Sequence, residues 1–145
     1  MRWGLILLTA SATILLSASV IFGLLPSAWW ISVLFWVVVA LILGQFAQGK
    51  YFMHGFLTGI ISSLVGALLV YTMYDTYLAN NPIPAEQLSK LPAGYNMKNL
   101  ILYTSPINAA IAGVVLGLLS LVAGKIFGVK KQPAPVFPDQ ETPAQ

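Results

Sequence analysis

Four unbroken apolar blocks, set off by short polar breaks and one long polar segment, make up most of the chain. The first covers residues 3–25 and stops at Pro26. The second covers 27–46 and gives way near Gln45, Gln48 and Lys50. The third covers 55–78, and the fourth covers 105–127 and stops at Gly128, Lys130 and Lys131. A half-buried strand would alternate apolar and polar residues, and a soluble helix would carry a polar face. These blocks do neither. Each is about twenty residues long, enough to cross a hydrocarbon layer about 30 Å thick. In lipid a peptide group must find its hydrogen-bond partner inside its own segment, so helices are expected, and no alternating barrel strands are visible. The pattern predicts an all-α polytopic membrane protein. Four transmembrane helices would form an up-and-down bundle over residues 1–131, with a long third loop and a Pro-rich, disordered cytoplasmic tail over 132–145. Pro106 suits the first turn of the fourth helix, where a missing N–H does no harm.

The first block has a second reading. Arg2, an apolar stretch and Ser17-Ala18-Ser19 resemble a secretory signal peptide. The apolar run continues past Ser19 to Pro26, which favours an uncleaved span.

Composition and charge sharpen the class. The chain is 58% hydrophobic and 8% charged, against about 25% charged residues in a soluble domain. Two alternative threadings divide the seven basic residues differently. With both termini inside, Arg2, Lys50, Lys125, Lys130 and Lys131 are cytoplasmic, while Lys90 and Lys98 are outside. The positive-inside rule selects this threading, with both termini cytoplasmic. The pI near 9.3 then reflects flanking charges. No basic stripe interleaved with aromatics is present, so no nucleic-acid partner is expected.

Candidate chemistry is sparse. His54 and Asp75 bracket the third block, but twenty-one helical steps separate them by about 31 Å, so they cannot share a proton or a metal. There is no cysteine, one histidine and one arginine. That excludes a disulfide, a thiolate, a His–His metal pair or a phosphate-reading cluster. No catalytic residue, cofactor or metal site is expected, and the protein is read as a non-enzyme. The blocks hold no ionisable residue at mid-depth, which disfavours ion-coupled transport. Thr9, Thr13 and Ser17 form one polar stripe, expected to be bonded back to its own helix.

Small residues give a packing signal. Gly55, Gly59, Ser63 and Ala67 recur every four residues in the third block, and Ala109, Gly113 and Gly117 do so in the fourth. Such grooves let two backbones approach closely, so these helices are expected to pack on each other, with a dimer interface as the alternative. The third loop holds Asp75, which would sit at a helix C-terminus where an anion is disfavoured. Tyr71, Lys98 or Asn108 would offset it and order the loop. Asn80-Asn81-Pro82 reads as a helix stop, and Pro84 as the start of a short helix, with Leu88 and Leu91 dipping into the interface.

The segments HGFLTGIISSLVGALLVYTMYDTYLANNP and SPINAAIAGVVLGLLSLVAGKIFG, within residues 54–128, resemble small four-span bacterial inner-membrane proteins of unknown function. The most specific part is Tyr74 to Pro82. The resemblance implies location and span count only. Two functions remain: a structural or partner-binding membrane protein, whose partners are lipid, another membrane protein or itself, and a small oligomeric transporter or passive pore. A dry apolar bundle would favour the first, and a polar cleft reaching mid-membrane the second.

Overall fold

The structure, a computed structural model, describes residues 2–90 and 96–128. The expected 132–145 tail, Lys130, Lys131 and Leu91 lie outside the described residues, as does the side chain of Leu88. The described backbone is helical almost throughout, with no strand. Helix α1 spans Trp3–Ile21, α2 Trp29–Phe46, α3 Tyr51–Thr72, α4 Tyr74–Asn80, α5 Pro82–Ser89 and α6 Met97–Phe127. Helices α1, α3 and α6 are long and apolar enough to cross a membrane, and α2 is a shorter apolar helix. Large apolar side chains such as Leu8, Leu15 and Leu118 point outward, while much of the interior is glycine, alanine, serine and threonine. Small residues let helices approach where lipid supplies no hydrophobic drive between them.

The helix ends differ from the block ends for local reasons. Helix α1 stops at Ile21, four residues before the apolar run does. Gly23 adopts φ 71°, and the Leu24 and Gly23 N–H groups donate to Ser19 O and Val20 O at 2.9 and 3.1 Å. This is a Schellman cap, which needs a left-handed residue and so uses glycine. Helices α2 and α3 are joined by a turn with positive φ at Gln48, Gly49 and Lys50. The third block breaks at Met73, and a separate α4 follows.

The expected long third loop is largely helical. Asn81 ends α4, and α5 begins with Pro82 rather than Pro84. Helix α6 begins at Met97, where the Asn96 side chain accepts the Asn99 N–H at 3.3 Å. Pro106 therefore lies inside a helix, not in its first turn. Proline leaves the carbonyl four residues earlier without its helical donor, and here the Ser105 hydroxyl donates to that carbonyl, Leu102 O, at 2.8 Å.

The most extensive packing is between α3 and α6. Helix α2 leans on α6 and α1 on α3, whereas α1 and α2 touch only sparingly.

Candidate functional site

The two ends of the bundle are built from different residues. At the end marked by His54, the start of α1, the end of α2 and the start of α3 are tied together. The His54 ring is buried; its Nε2 accepts the Arg2 backbone N–H at 3.1 Å, and Nδ1 lies 3.0 Å from Lys50 O. Nδ1 therefore carries the proton and donates to the carbonyl, in a neutral ring with one donor and one acceptor. Arg2 Nη1 donates to Phe46 O at 3.1 Å, satisfying a carbonyl that the end of α2 leaves open.

Glycines close this end. A Cβ at Gly59 would lie 2.7 Å from Ala112 O and Gly113 Cα, and one at Gly55 would lie 2.5 Å from Leu116 O and Ser120 Oγ. A Cβ at Gly44 on α2 would lie 2.7 Å from the Ala123 carbonyl carbon. Only hydrogen-sized groups fit at these contacts. Val39, Ala40, Leu43 and Leu116 form an apolar cluster here, with Leu5 of α1 packed against it.

Toward the α4 end the helices part around a cavity of about 330 Å³. Thr13 and Ser17 of α1, Ser32 and Trp36 of α2, Ser62, Ser63 and Gly66 of α3, and Thr104, Ser105 and Asn108 of α6 line it, together with the apolar Leu16, Ala67, Val70 and Ile101. Ser62 lies roughly 15 Å from either end of α3 by the helical rise, so the cavity reaches the middle of that helix.

The lining hydroxyls fall into two states. Thr13 donates to Thr9 O, Ser17 to Thr13 O, Ser62 to Thr58 O, Thr104 to Leu100 O and Ser105 to Leu102 O, at 2.7–3.2 Å. Each hydroxyl has one proton, so these five have only lone pairs left to offer a ligand. The side chains of Ser32, Ser63 and Asn108 make no hydrogen bond to another described residue. None of the lining residues is ionisable. Lower on the stripe, Thr9 donates to Leu5 O and lies 3.1 Å from the Thr58 hydroxyl, linking α1 to α3.

The residues singled out in the sequence separate between these two regions. Gly55, Gly59, Gly113 and Gly117 lie at the α3–α6 contact, and Ala109 is buried on α6. Ser63 and Ala67 instead face the cavity, as does Asn108. Asp75 is exposed and makes no hydrogen bond to another described residue. The break at Met73 puts it in the first turn of α4, where the helix dipole favours an anion; the expected C-terminal position and the need for an offsetting partner both disappear. Lys98 sits 5.2 Å from the centre of the Tyr71 ring, a cation–π contact between α6 and α3.

What orders this segment is the asparagine pair. Asn81, buried, donates from Nδ2 to Val20 O and Tyr77 O at 3.0 and 2.9 Å. Asn80 donates to Ile21 O and Thr76 O at 3.2 and 3.0 Å. The last carbonyls of α1 are thus met by α4. The Asn-Asn-Pro triplet was the available signal, but its read-out as a helix stop hides the second role.

Three apolar helices of spanning length, with a fourth shorter one, surround a cavity lined by hydroxyl, amide and apolar side chains, as in a helical membrane protein. No family model matches the chain, and neither a curated protein nor a solved structure matches it.

Proposed function

We propose that the protein is a non-enzymatic, four-span membrane protein that takes an uncharged, hydrogen-bond-donating ligand into the cavity, as a binding protein or carrier closed at the His54 end. The chemistry of the cavity wall carries this reading. Five hydroxyls have their protons committed and accept only. A matching ligand donates: an alcohol, a polyol or an amide. A carboxylate or ammonium group would meet no counter-charge among the lining residues, and burying an unpaired charge is costly. The volume lies at the small end of ligand pockets, which run from about 300 to 1,000 Å³.

A protein that only supports a partner needs no polar cavity reaching the middle of a helix, so this feature favours the ligand reading over the structural one. A passive pore within one chain is disfavoured by the glycine contacts and the apolar cluster at the His54 end. Arg2, Lys50 and Lys125 gather at that end, which supports placing it, with both termini, on the cytoplasmic side of an inner membrane.

Matched pairs of compounds test the reading. Glycerol with glycerate, and monooctanoylglycerol with octanoate and octylamine, are added to the purified protein in nanodiscs, and its melting temperature is followed. At least one uncharged compound raises it, Ser105→Leu and Asn108→Leu remove the rise, and the charged partners give none. Equal stabilisation by the charged partners, or none by any uncharged one, contradicts the proposal.

A further inference from the structure

The cavity has an unequal wall. Near the His54 end Leu5 of α1 packs against the apolar cluster that α2 and α6 build from Val39, Ala40, Leu43 and Leu116, and Arg2 Nη1 donates to Phe46 O. Helices α1 and α2 touch each other only sparingly, and α1 takes its main support from α3. Of the neighbouring pairs around the bundle α1–α2 is the most weakly packed, and Ser17 of α1 and Ser32 of α2 line the cavity on either side of that gap. The connector over residues 22–28 joins the two helices at the cavity's end of the bundle, as a lintel over the gap. Its Phe22 and Leu24 are exposed at 51% and 76%. Exposed apolar side chains on the connector suit lipid better than water.

We infer that the ligand is an amphiphile that reaches the cavity from the bilayer through the α1–α2 gap, its uncharged polyol head group held by the hydroxyl wall and its acyl chain left in the lipid. This rests on the proposed ligand reading and narrows it. The wall supplies acceptors for the head group's hydroxyl protons, while Ser32, Ser63 and Asn108 supply donors for its oxygens. The cavity depth suits it too. A head group bonded at Ser62 would lie near mid-bilayer, where a free polyol in water has no apolar tail to offset its desolvation and a lipid does.

Tryptophan quenching tests this, because Trp36 lines the cavity. Trp3, Trp29 and Trp30 are replaced by phenylalanine, and the full chain is placed in phosphatidylcholine nanodiscs. A monoacylglycerol brominated at mid-chain is compared with phosphatidylcholine carrying the same brominated chain at the same mole fraction. The monoacylglycerol is expected to quench Trp36 several-fold more strongly. Unlabelled monoacylglycerol should reverse the excess, free glycerol should not, and Ser17→Leu and Ser32→Leu, which narrow the gap from opposite edges, should each abolish it. Should one of these variants misfold, the other decides. Equal quenching by the two lipids, or excess quenching that survives the leucine substitutions, overturns the proposal. Reversal by glycerol as effective as by monoacylglycerol also overturns it, while leaving the uncharged-ligand reading intact. Failure of that broader reading shows separately, as equal response to the charged and uncharged compounds above.

Discussion

Gly59 and Gly66 lie two turns apart on α3, and both are buried. A Cβ added at Gly59 would meet α6 backbone at 2.7 Å, whereas at Gly66 the nearest atom is Ser17 Oγ at 3.3 Å, across the cavity wall. The first glycine permits contact between two backbones, and the second leaves room beside a hydroxyl. One helix thus serves two ends of the bundle, one closed by backbone contact and one held apart around polar side chains. The difference shows that small residues in a span do not have a single meaning. Their effect depends on whether the facing helix offers its own glycine or a hydroxyl.

The largest break in this comparison comes from Gly59→Leu. Helix α6 must shift its backbone to admit the side chain, so stability should fall by about 3 kcal/mol or more, with a lower detergent melting temperature. Gly66→Ala should cost far less, since the nearest neighbour is a side chain that can turn. If the two variants lose equal stability, the two ends are not differently packed.

His54→Ala probes the polar latch at the closed end. It removes the acceptor for the Arg2 N–H and the donor to Lys50 O, and should cost about 2–3 kcal/mol. Trypsin cleavage after Arg2 should become faster. Asn81→Ala does the same at the open end, removing the donor to Val20 O and Tyr77 O, for about 1–2 kcal/mol. The loss should show as faster proteolysis at Lys90 with the α3–α6 contact intact. Asp75→Asn should leave both readouts unchanged, because the exposed carboxylate bonds to nothing here.

The smallest effect sharpens the account. Ser120 Oγ is buried against Gly55 with no hydrogen-bond partner among the described residues. Ser120→Ala removes an unmet polar atom and should be neutral or stabilising by up to about 1 kcal/mol. A clear loss of stability would mean that the hydroxyl has found a partner.

Part of this was legible in the chain itself. Unbroken apolar blocks report helices, because lipid leaves the backbone no other way to satisfy its polar groups. The four-residue spacing of Gly55 and Gly59, and of Gly113 and Gly117, is visible in the sequence as well. The same spacing carries on to Ser63 and Ala67, which line the cavity. The cavity was less legible still. Thr13 and Ser17 could be seen on one stripe, but Ser32, Ser62, Thr104 and Ser105 come from three other helices. Their convergence depends on how each helix is rotated, which no local pattern records. The helix ends depended on single residues: the left-handed Gly23, the break at Met73, and a Ser105 hydroxyl that lets α6 run through Pro106.

If the cavity can be reached from outside the bundle and the contact at the His54 end cannot, the two regions should differ in access to a small uncharged reagent. The chain contains no cysteine, so single-cysteine variants can be compared without background. Thr58 is fully buried at the closed contact, and Ser63, five residues on, lines the cavity. Their alkylation by a small, uncharged methanethiosulfonate, in nanodiscs and then in denaturant, is the most direct measurement. Ser63→Cys should react readily in the folded protein, while Thr58→Cys should react only after unfolding. Equal rates at the two positions, or a Ser63→Cys protein that stays inert until it unfolds, would contradict the account.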